Sequence, residues 1–377
     1  MNICFVVEEY PTPQDPKMPF IRNLILQFAR QSVKCTVIAP QSLTGAIVNK
    51  YPLRPVKWID SVDNGEDITV YQPIYLTFSN AFKNSKEKNF VRAAKKAYSK
   101  LKEKQDALYG HFWHMGISAS LIDDTLPIFV ASGESKISVL NRFDRNTIEK
   151  FLKHLAGTIY VSTKNYNESV ELGLQRESPY IIAPNGYNPN EFYVGDKYKT
   201  REKLNWPKDD FIVSFVGTFN KRKGIERLSD AIDLINSESL ASCFIGKGEI
   251  RPKCKNVLFQ GRLQHEQIAE YLIASDVFVL PTTNEGCCNA IVEAIACGVP
   301  VISSDLSFND DILDTSYSIR IDPMNTEEIA EAIKELMNNK EKCERMANAA
   351  KEKAKELTIE SRAKRILTFI EESLDKS

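Results

Sequence analysis

The chain has no apolar run approaching the ~18 residues that a membrane-spanning helix needs, so no span is expected. Its start, Met1-Asn2-Ile3-Cys4-Phe5-Val6-Val7 followed by Glu8-Glu9, has neither a basic opening nor a long apolar stretch. No secretory signal is therefore expected, and the expected location is cytoplasmic. Excess charge is missing too: 49 Lys and Arg stand against 50 Asp and Glu, a formal charge of −1. With no global basic field, nucleic acid is not an expected partner. The cysteines at 4, 35, 243, 254, 287, 288, 297 and 343 form no C-x-x-C pair and no zinc spacing, which fits reduced thiols better than disulfides. Neither G-x-G-x-x-G nor G-x-x-x-x-G-K-[ST] occurs, which argues against a standard NAD site and a P-loop. D-x-D is absent as well, so no Asp-held metal is indicated and no cofactor is expected.

At 377 residues, 43% apolar and 26% charged, the chain has ordinary globular composition and the length of two domains. NICFVV at the start reads as a buried strand, because a short β-branched and aromatic run is bounded by polar residues. A loop with Pro11, Pro13, Pro16 and Pro19 follows, then a helical pattern on Phe20, Leu24 and Phe28. Lys34–Pro40 is a second strand, which completes a strand–helix–strand unit of a parallel sheet. Further strands are expected at Asp106–Tyr109, Pro127–Ala131, Thr158–Val161 and Tyr180–Ala183. Pro184-Asn185-Gly186 is a strong turn signal, and the pattern restarts after residue 210. Phe211–Val216, Ser242–Ile245, Val257–Phe259, Val277–Leu280 and Val299–Ser303 read as strands, with a helix near Ile225–Ile235. From Asn325 onward the pattern is helical. The fold class is therefore α/β, with one domain over 1–186 and a second over 187–357.

The sharpest chemical signal is Pro281-Thr282-Thr283-Asn284-Glu285-Gly286-Cys287-Cys288-Asn289-Ala290-Ile291-Val292-Glu293-Ala294. A buried strand runs through a short loop into a helix expected to begin near Cys287. Free N–H groups at such a start bind phosphate, aided by the helix dipole. Gly286 lets the backbone approach closely. Glu293, six residues on and ~9 Å along the helix, matches the reach from a diphosphate to a ribose. Glu285 would sit by the sugar beyond the phosphate. Either glutamate alone reads best as a solvated surface residue; the pair in this strand–turn–helix context does not. The second signal is Gly217-Thr218-Phe219-Asn220-Lys221-Arg222-Lys223-Gly224, three consecutive cations after a strand. Such a loop can bind a diphosphate and neutralise it as a leaving group, although a plain basic surface loop reads equally well. Gly246-Lys247-Gly248 and Gly261-Arg262-Leu263 end two further strands, and the latter could flank a base.

Together these residues resemble the retaining glycosyltransferases of family 4, or group 1, with the GT-B fold. YPTPQDPKMPFIRNL is similar to the family's N-terminal loop and helix, and VSTKNY and IIAPNGYNPNEF to the stretch that closes its first domain. VGTFNKRKG resembles the donor-phosphate loop, and IASDVFVLPTTNEGCCNAIVEAIACGVPVISS the E-x7-E block. The resemblance implies two facing Rossmann-like domains with a cleft between them, and a last helix near Ile359–Leu374 returning to the first domain. Residues 358–377 would thus belong with 1–186. It implies that Lys223 and Arg222 hold the donor diphosphate, assisted by the backbone of Gly286, Cys287, Cys288 and Asn289. Glu285 would contact the transferred sugar and Glu293 the ribose, with Gly217, Gly246, Arg262 and Leu263 near the nucleotide. Retention without a required metal follows from the same resemblance. The partners would be a nucleotide-sugar donor and a glycan or lipid-linked acceptor, in bacterial surface polysaccharide assembly. Two positions depart from the pattern: Thr218 stands where the family has Arg, and Ser132, beside Gly133 and Glu134, where many members have His.

His111 follows a strand, and with Ser132 and Glu134 is a candidate for the acceptor or sugar side; a lone His is more often structural. His154 and His265 have no constellation. Residues 83–104 carry nine cations against two glutamates, with Phe90, Ala94, Ala97, Tyr98 and Leu101 on one face. Such a helix either packs on its domain, which is the better reading, or lies on an anionic membrane. Two other functions share the expected fold: a nucleotide-sugar epimerase and a non-catalytic sugar-binding protein.

Overall fold

A computed structural model describes residues 1–12, 19–77 and 85–376. Pro13, Pro16, Lys83 and Ser377 therefore lie outside the described residues. The short β-branched runs become strands buried on both faces, which is why they read as continuous apolar stretches rather than alternating ones. The chain forms two units, one of Met1–Val161, Asn165–Ala183 and Arg362–Ser377, the other of Ser162–Lys164 and Pro184–Ser361.

The strands of the first unit are β1 (Asn2–Val6), β2 (Lys34–Ile38), β3 (Gln41–Ser42), β4 (Lys57–Asp60), β5 (Ile68–Tyr71), β6 (Ile74–Tyr75), β7 (Ala107–His111), β8 (Ile128–Ser132), β9 (Leu155–Tyr160) and β10 (Tyr180–Ile182). Eight form one sheet in the order β10-β9-β8-β7-β1-β2-β5-β4, while β3 and β6 pair separately. Only the edge strand β4 is antiparallel in the large sheet. The helix Ser85–Tyr98 buries Phe90, Ala94 and Ala97 in the core of this unit. Its apolar face is thus packed away, as the solvated-helix reading expects. The helix Ile359–Leu374 packs on the same unit through Phe369, whose ring centroid lies 6.1 Å from that of Phe129. Arg362 Nε donates to Ala183 O at 3.2 Å and Arg365 Nη2 to Ile182 O at 2.7 Å, which fastens the helix at β10.

The second unit contains β11 (Phe211–Val216), β12 (Leu240–Ile245), β13 (Val257–Gly261), β14 (Val277–Leu280), β15 (Val301–Ser304) and β16 (Ser318–Ile321). All pairings are parallel, in the order β13-β12-β11-β14-β15-β16. Phe215, Phe244 and Phe278 are fully buried on β11, β12 and β14; each contributes about 1.5–3 kcal/mol relative to an exposed ring. Among the described residues, no helix is long and apolar enough to cross a membrane.

Candidate active site

The chain builds the second sheet outward from β11 through β12 to β13, then returns to the other side of β11 with β14. At such a reversal the loops leaving two neighbouring strands diverge, and the space between them is the usual ligand position of an open parallel sheet. Here the loops are residues 217–224, after β11, and 281–288, after β14. Thr283 N donates to Arg222 O at 2.9 Å, and Arg227 donates to Pro281 O at 2.8 Å and Lys221 O at 3.0 Å. Gly224 closes the first loop at φ +77°, and a Cβ there would lie 2.3 Å from Pro281 O. Only glycine combines that conformation with that approach.

The loops bring their charges together. Lys223 Nζ lies 2.8 Å from Glu285 Oε1, and Arg222 Nη1 reaches the same oxygen and Asn284 O. Thr282 Oγ1 donates to Glu285 Oε1 at 2.9 Å. Lys223 is buried, with Cys288 Sγ 3.7 Å from its ammonium. Burial opposes its charge, but the Cys288 sulfur and the Glu285 carboxylate outweigh burial and hold Lys223 above the usual lysine range. Burial likewise pushes the Cys288 thiol up. The adjacent Arg222 and Lys223 thus form one cluster with Glu285, which lies 63 residues after Arg222.

The helix after Glu285 runs from Asn289 to Ala296 with Cys288 as its cap, two residues later than the sequence suggests. No side chain caps it, so its first amides keep the anion-binding character of a helix start. Asn185 secures this turn: its Nδ2 donates to Asn289 Oδ1 at 2.7 Å and Cys287 O at 3.2 Å, and its backbone N to Cys287 Sγ at 3.4 Å. Glu293 lies four residues into the helix, ~6 Å from its start rather than ~9 Å. It is 8% exposed. His265 Nε2 sits 3.1 Å from Glu293 Oε1, and His265 Nδ1 sits 2.8 Å from Glu191 Oε2. Hydrogen bonds to these two carboxylates raise the imidazole to about 10.

Gly217 and Gly246 end β11 and β12 in contact: a Cβ on Gly246, at φ +150°, would stand 1.9 Å from Gly217 O. Gly246 N donates to Gly261 O at 2.7 Å, so three strand ends are held side by side. Arg262 is exposed and Leu263 half-buried just beyond. Thr218 is exposed and adds no charge. Among the described residues, no three or more His, Cys, Asp or Glu side chains are grouped to hold a metal ion.

In the first unit, His111 ends β7 and Ser132 ends the neighbouring β8, with Glu134 two residues beyond. His111 is 5% exposed, and burial lowers it to about 3, with Arg362 adding to the effect. Glu134 accepts from Trp113 N at 2.8 Å, Ser132 Oγ at 2.9 Å and Gly133 N at 2.9 Å. Burial raises its carboxyl despite these donors. Ser132 and Glu134 therefore secure the start of the helix Trp113–Ile122, which Phe112 enters at φ +80°. Sequence reading missed Asn185, Glu191, His265 and Thr282. The last lies in the strongest motif; the others are separated from their partners by 28 to 104 residues, and no local spacing signals them.

Residues 196–353 match the family described as Glycosyl transferases group 1. The chain is 25% identical over 346 residues to the putative teichuronic acid biosynthesis glycosyltransferase TuaC of Bacillus subtilis, covering 88% of each. It is 27% identical to alpha-galactosylglucosyldiacylglycerol synthase of Streptococcus pneumoniae, over 67% of this chain and 66% of that one. Among solved structures, sucrose-phosphate synthase from Thermosynechococcus elongatus superposes with a TM-score of 0.77 at 17% identity, over all of both chains. Anabaena Alr3699/HepE, in complex with UDP, gives 0.72 at 15% over 99% of this chain and 100% of that one. These likenesses show the GT-B fold. The chain is a glycosyltransferase, and its second unit carries the group 1 domain.

Proposed function

We propose that this glycosyltransferase moves a sugar from a nucleotide-sugar donor to a glycan or lipid-linked acceptor, with retention at the anomeric carbon, in surface polysaccharide or glycolipid assembly. One observation supports the donor site above all: Lys223 and Arg222 meet Glu285 at the strand-order reversal, beside an uncapped helix start. In the reaction, the bond from the anomeric carbon to the β-phosphate oxygen breaks, and its electron pair stays with the diphosphate. An acceptor hydroxyl bonds to the same face of the carbon, and its proton passes to the leaving phosphate. Lys223, Arg222 and the amides of Gly286 to Asn289 meet the growing negative charge. Glu285 faces the sugar, and Gly217, Gly246, Arg262 and Leu263 flank the nucleotide. The names of the Bacillus and Streptococcus relatives support the setting.

The test is a panel of nucleotide sugars, each incubated with and without candidate acceptors, with product anomers read by NMR. Acceptor-dependent release of nucleoside diphosphate and a retained anomer are expected. Conversion of a nucleotide sugar without acceptor would indicate epimerisation, and an inverted anomer would remove the retaining route. Because cations of the chain meet the diphosphate, transfer should also persist in excess EDTA. Loss of all activity, restored by magnesium or manganese, would reassign that charge to a metal.

A membrane contact belongs to the same proposal. The helix Ser85–Tyr98 keeps Lys86, Lys88, Lys95 and Lys96 exposed while its apolar face is buried. Contact through it would rest on charge rather than insertion, so binding to anionic vesicles should fall steeply as salt rises. Equal sedimentation with neutral and anionic vesicles would rule that out.

A further inference from the structure

Glu293 is a carboxylate in a helix whose residues from Ile291 to Ala296 are all buried. A buried charge needs a partner. Its Oε1 has one, the His265 ring; its Oε2 has none among the described residues. His265 is equally constrained, because each ring nitrogen faces a carboxylate oxygen, at 2.8 Å and 3.1 Å. Both nitrogens must donate, so the ring is an imidazolium. That cation stands at the first residue of the helix His265–Ile273, where the helix dipole opposes it. The two carboxylates hold it there. Glu191 is itself fixed, since Asn188 Nδ2 donates to its Oε1 at 2.6 Å. The Phe192 ring packs against the imidazole at a centroid distance of 5.1 Å and an angle of 73°, which sets its plane. Three segments of the second unit thus meet at the His265 ring: the stretch after Gly186, the start of the helix after β13, and the helix after β14.

We propose that His265, oriented by Glu191, is a positioning residue that holds Glu293 so that its free oxygen Oε2 accepts hydrogen bonds from the ribose hydroxyls of the donor nucleotide. This rests on the ribose role of Glu293. A carboxylate with two equivalent oxygens and free rotation would offer the ligand an averaged target. One with Oε1 tied to a charged donor presents a single oxygen in one place, so less ordering remains to be done on binding. The bond from the imidazolium is charge-assisted, so it fixes the carboxylate more firmly than a neutral donor would.

The experiment is calorimetry with uridine, guanosine and adenosine diphosphates, each beside its 2′,3′-dideoxy analogue, and with inorganic pyrophosphate. The tightest-binding ribonucleotide and its analogue are then followed through the variants. The wild-type chain should prefer the ribonucleotide by about tenfold or more. Both His265→Ala and Glu293→Ala should erase that preference and leave pyrophosphate binding unchanged. The double variant should lose no more than Glu293→Ala alone, because both act through one contact. His265→Gln, which keeps one N–H donor, and Glu191→Gln, which keeps the shape, should each retain part of the preference; both serve as well if an alanine variant fails to fold. A ribonucleotide preference that survives in His265→Ala and His265→Gln but not in Glu293→Ala would overturn the positioning role alone. A wild-type chain without the preference, or a Glu293→Ala chain that keeps it, would overturn the ribose role and this inference with it. Weaker pyrophosphate binding in His265→Ala would mark the histidine as a support for the whole site rather than for Glu293.

Discussion

Replacing Lys223 by alanine is expected to lower turnover on the order of a hundredfold or more, the usual cost of removing one contact to a developing charge. Donor affinity should change far less. The difference arises because the diphosphate gains negative charge as the glycosyl bond breaks, so a cation beside it counts for more in the transition state than in the bound complex. Lys223 is suited to this: it is buried beside Glu285 and held as an ammonium. Arg222 approaches the same Glu285 oxygen from the neighbouring position. Arg222→Ala should therefore also slow transfer, and the double variant should lose less than the two losses combined. The measurement is steady-state transfer at saturating donor and acceptor. Near-normal turnover in Lys223→Ala would show that the leaving group is neutralised elsewhere and that the loop is a basic surface.

The largest stability effect is expected at Asp276. Its Oδ2 accepts from Ile212 N at 2.7 Å and Arg201 Nη2 at 2.5 Å, and its Oδ1 from Lys197 Nζ at 2.7 Å. Arg201 is 2% exposed. Its remaining donors go to the carbonyls of Ala274, Lys208 and Asp210. Those carbonyls satisfy hydrogen bonds but carry no net charge. Asp276→Ala would leave a buried guanidinium without its counter-ion, at a cost of about 3–5 kcal/mol. Chemical denaturation measures the loss, and hydrogen exchange should place it at β11, whose Ile212 amide loses its acceptor. Adding Arg201→Met should recover part of the stability, since the stranded charge leaves with it. A single variant as stable as the wild type would mean that water reaches Arg201 freely.

What could be read in the sequence followed from how each signal is encoded. Phe211–Val216 and the helix Ile225–Ile235 were expected with the bounds they have, because a strand buried on both faces and an amphipathic helix both write their period into consecutive residues. β4 was not legible: Lys57-Trp58-Ile59-Asp60 is a polar edge strand, and edges are kept polar to discourage further pairing. β16, Ser-Ile-Arg-Ile, is an edge of the other sheet and was missed for the same reason. In the candidate site, Glu285, Glu293 and the three cations were legible because each lies in a continuous strand–loop–helix segment. The approach of Lys223 to Glu285 was not, since it depends on β11 and β14 becoming neighbours. His265 was passed over as solitary because its two partners, Glu191 and Glu293, come from segments before and after it.

The order in which the chain is made has a consequence for the first unit. Most of it emerges first, yet it includes residues 362–377, whereas the second unit is nearly continuous over 184–361. Ile366 and Ile370, both fully buried, and Phe369 against Phe129 belong to that late helix. During synthesis the early sheet therefore waits with an apolar face uncovered while the later unit has everything it needs. Of the two, the unit that starts earlier is completed later, and a chain broken off just before residue 362 lacks a piece of the first unit and none of the second.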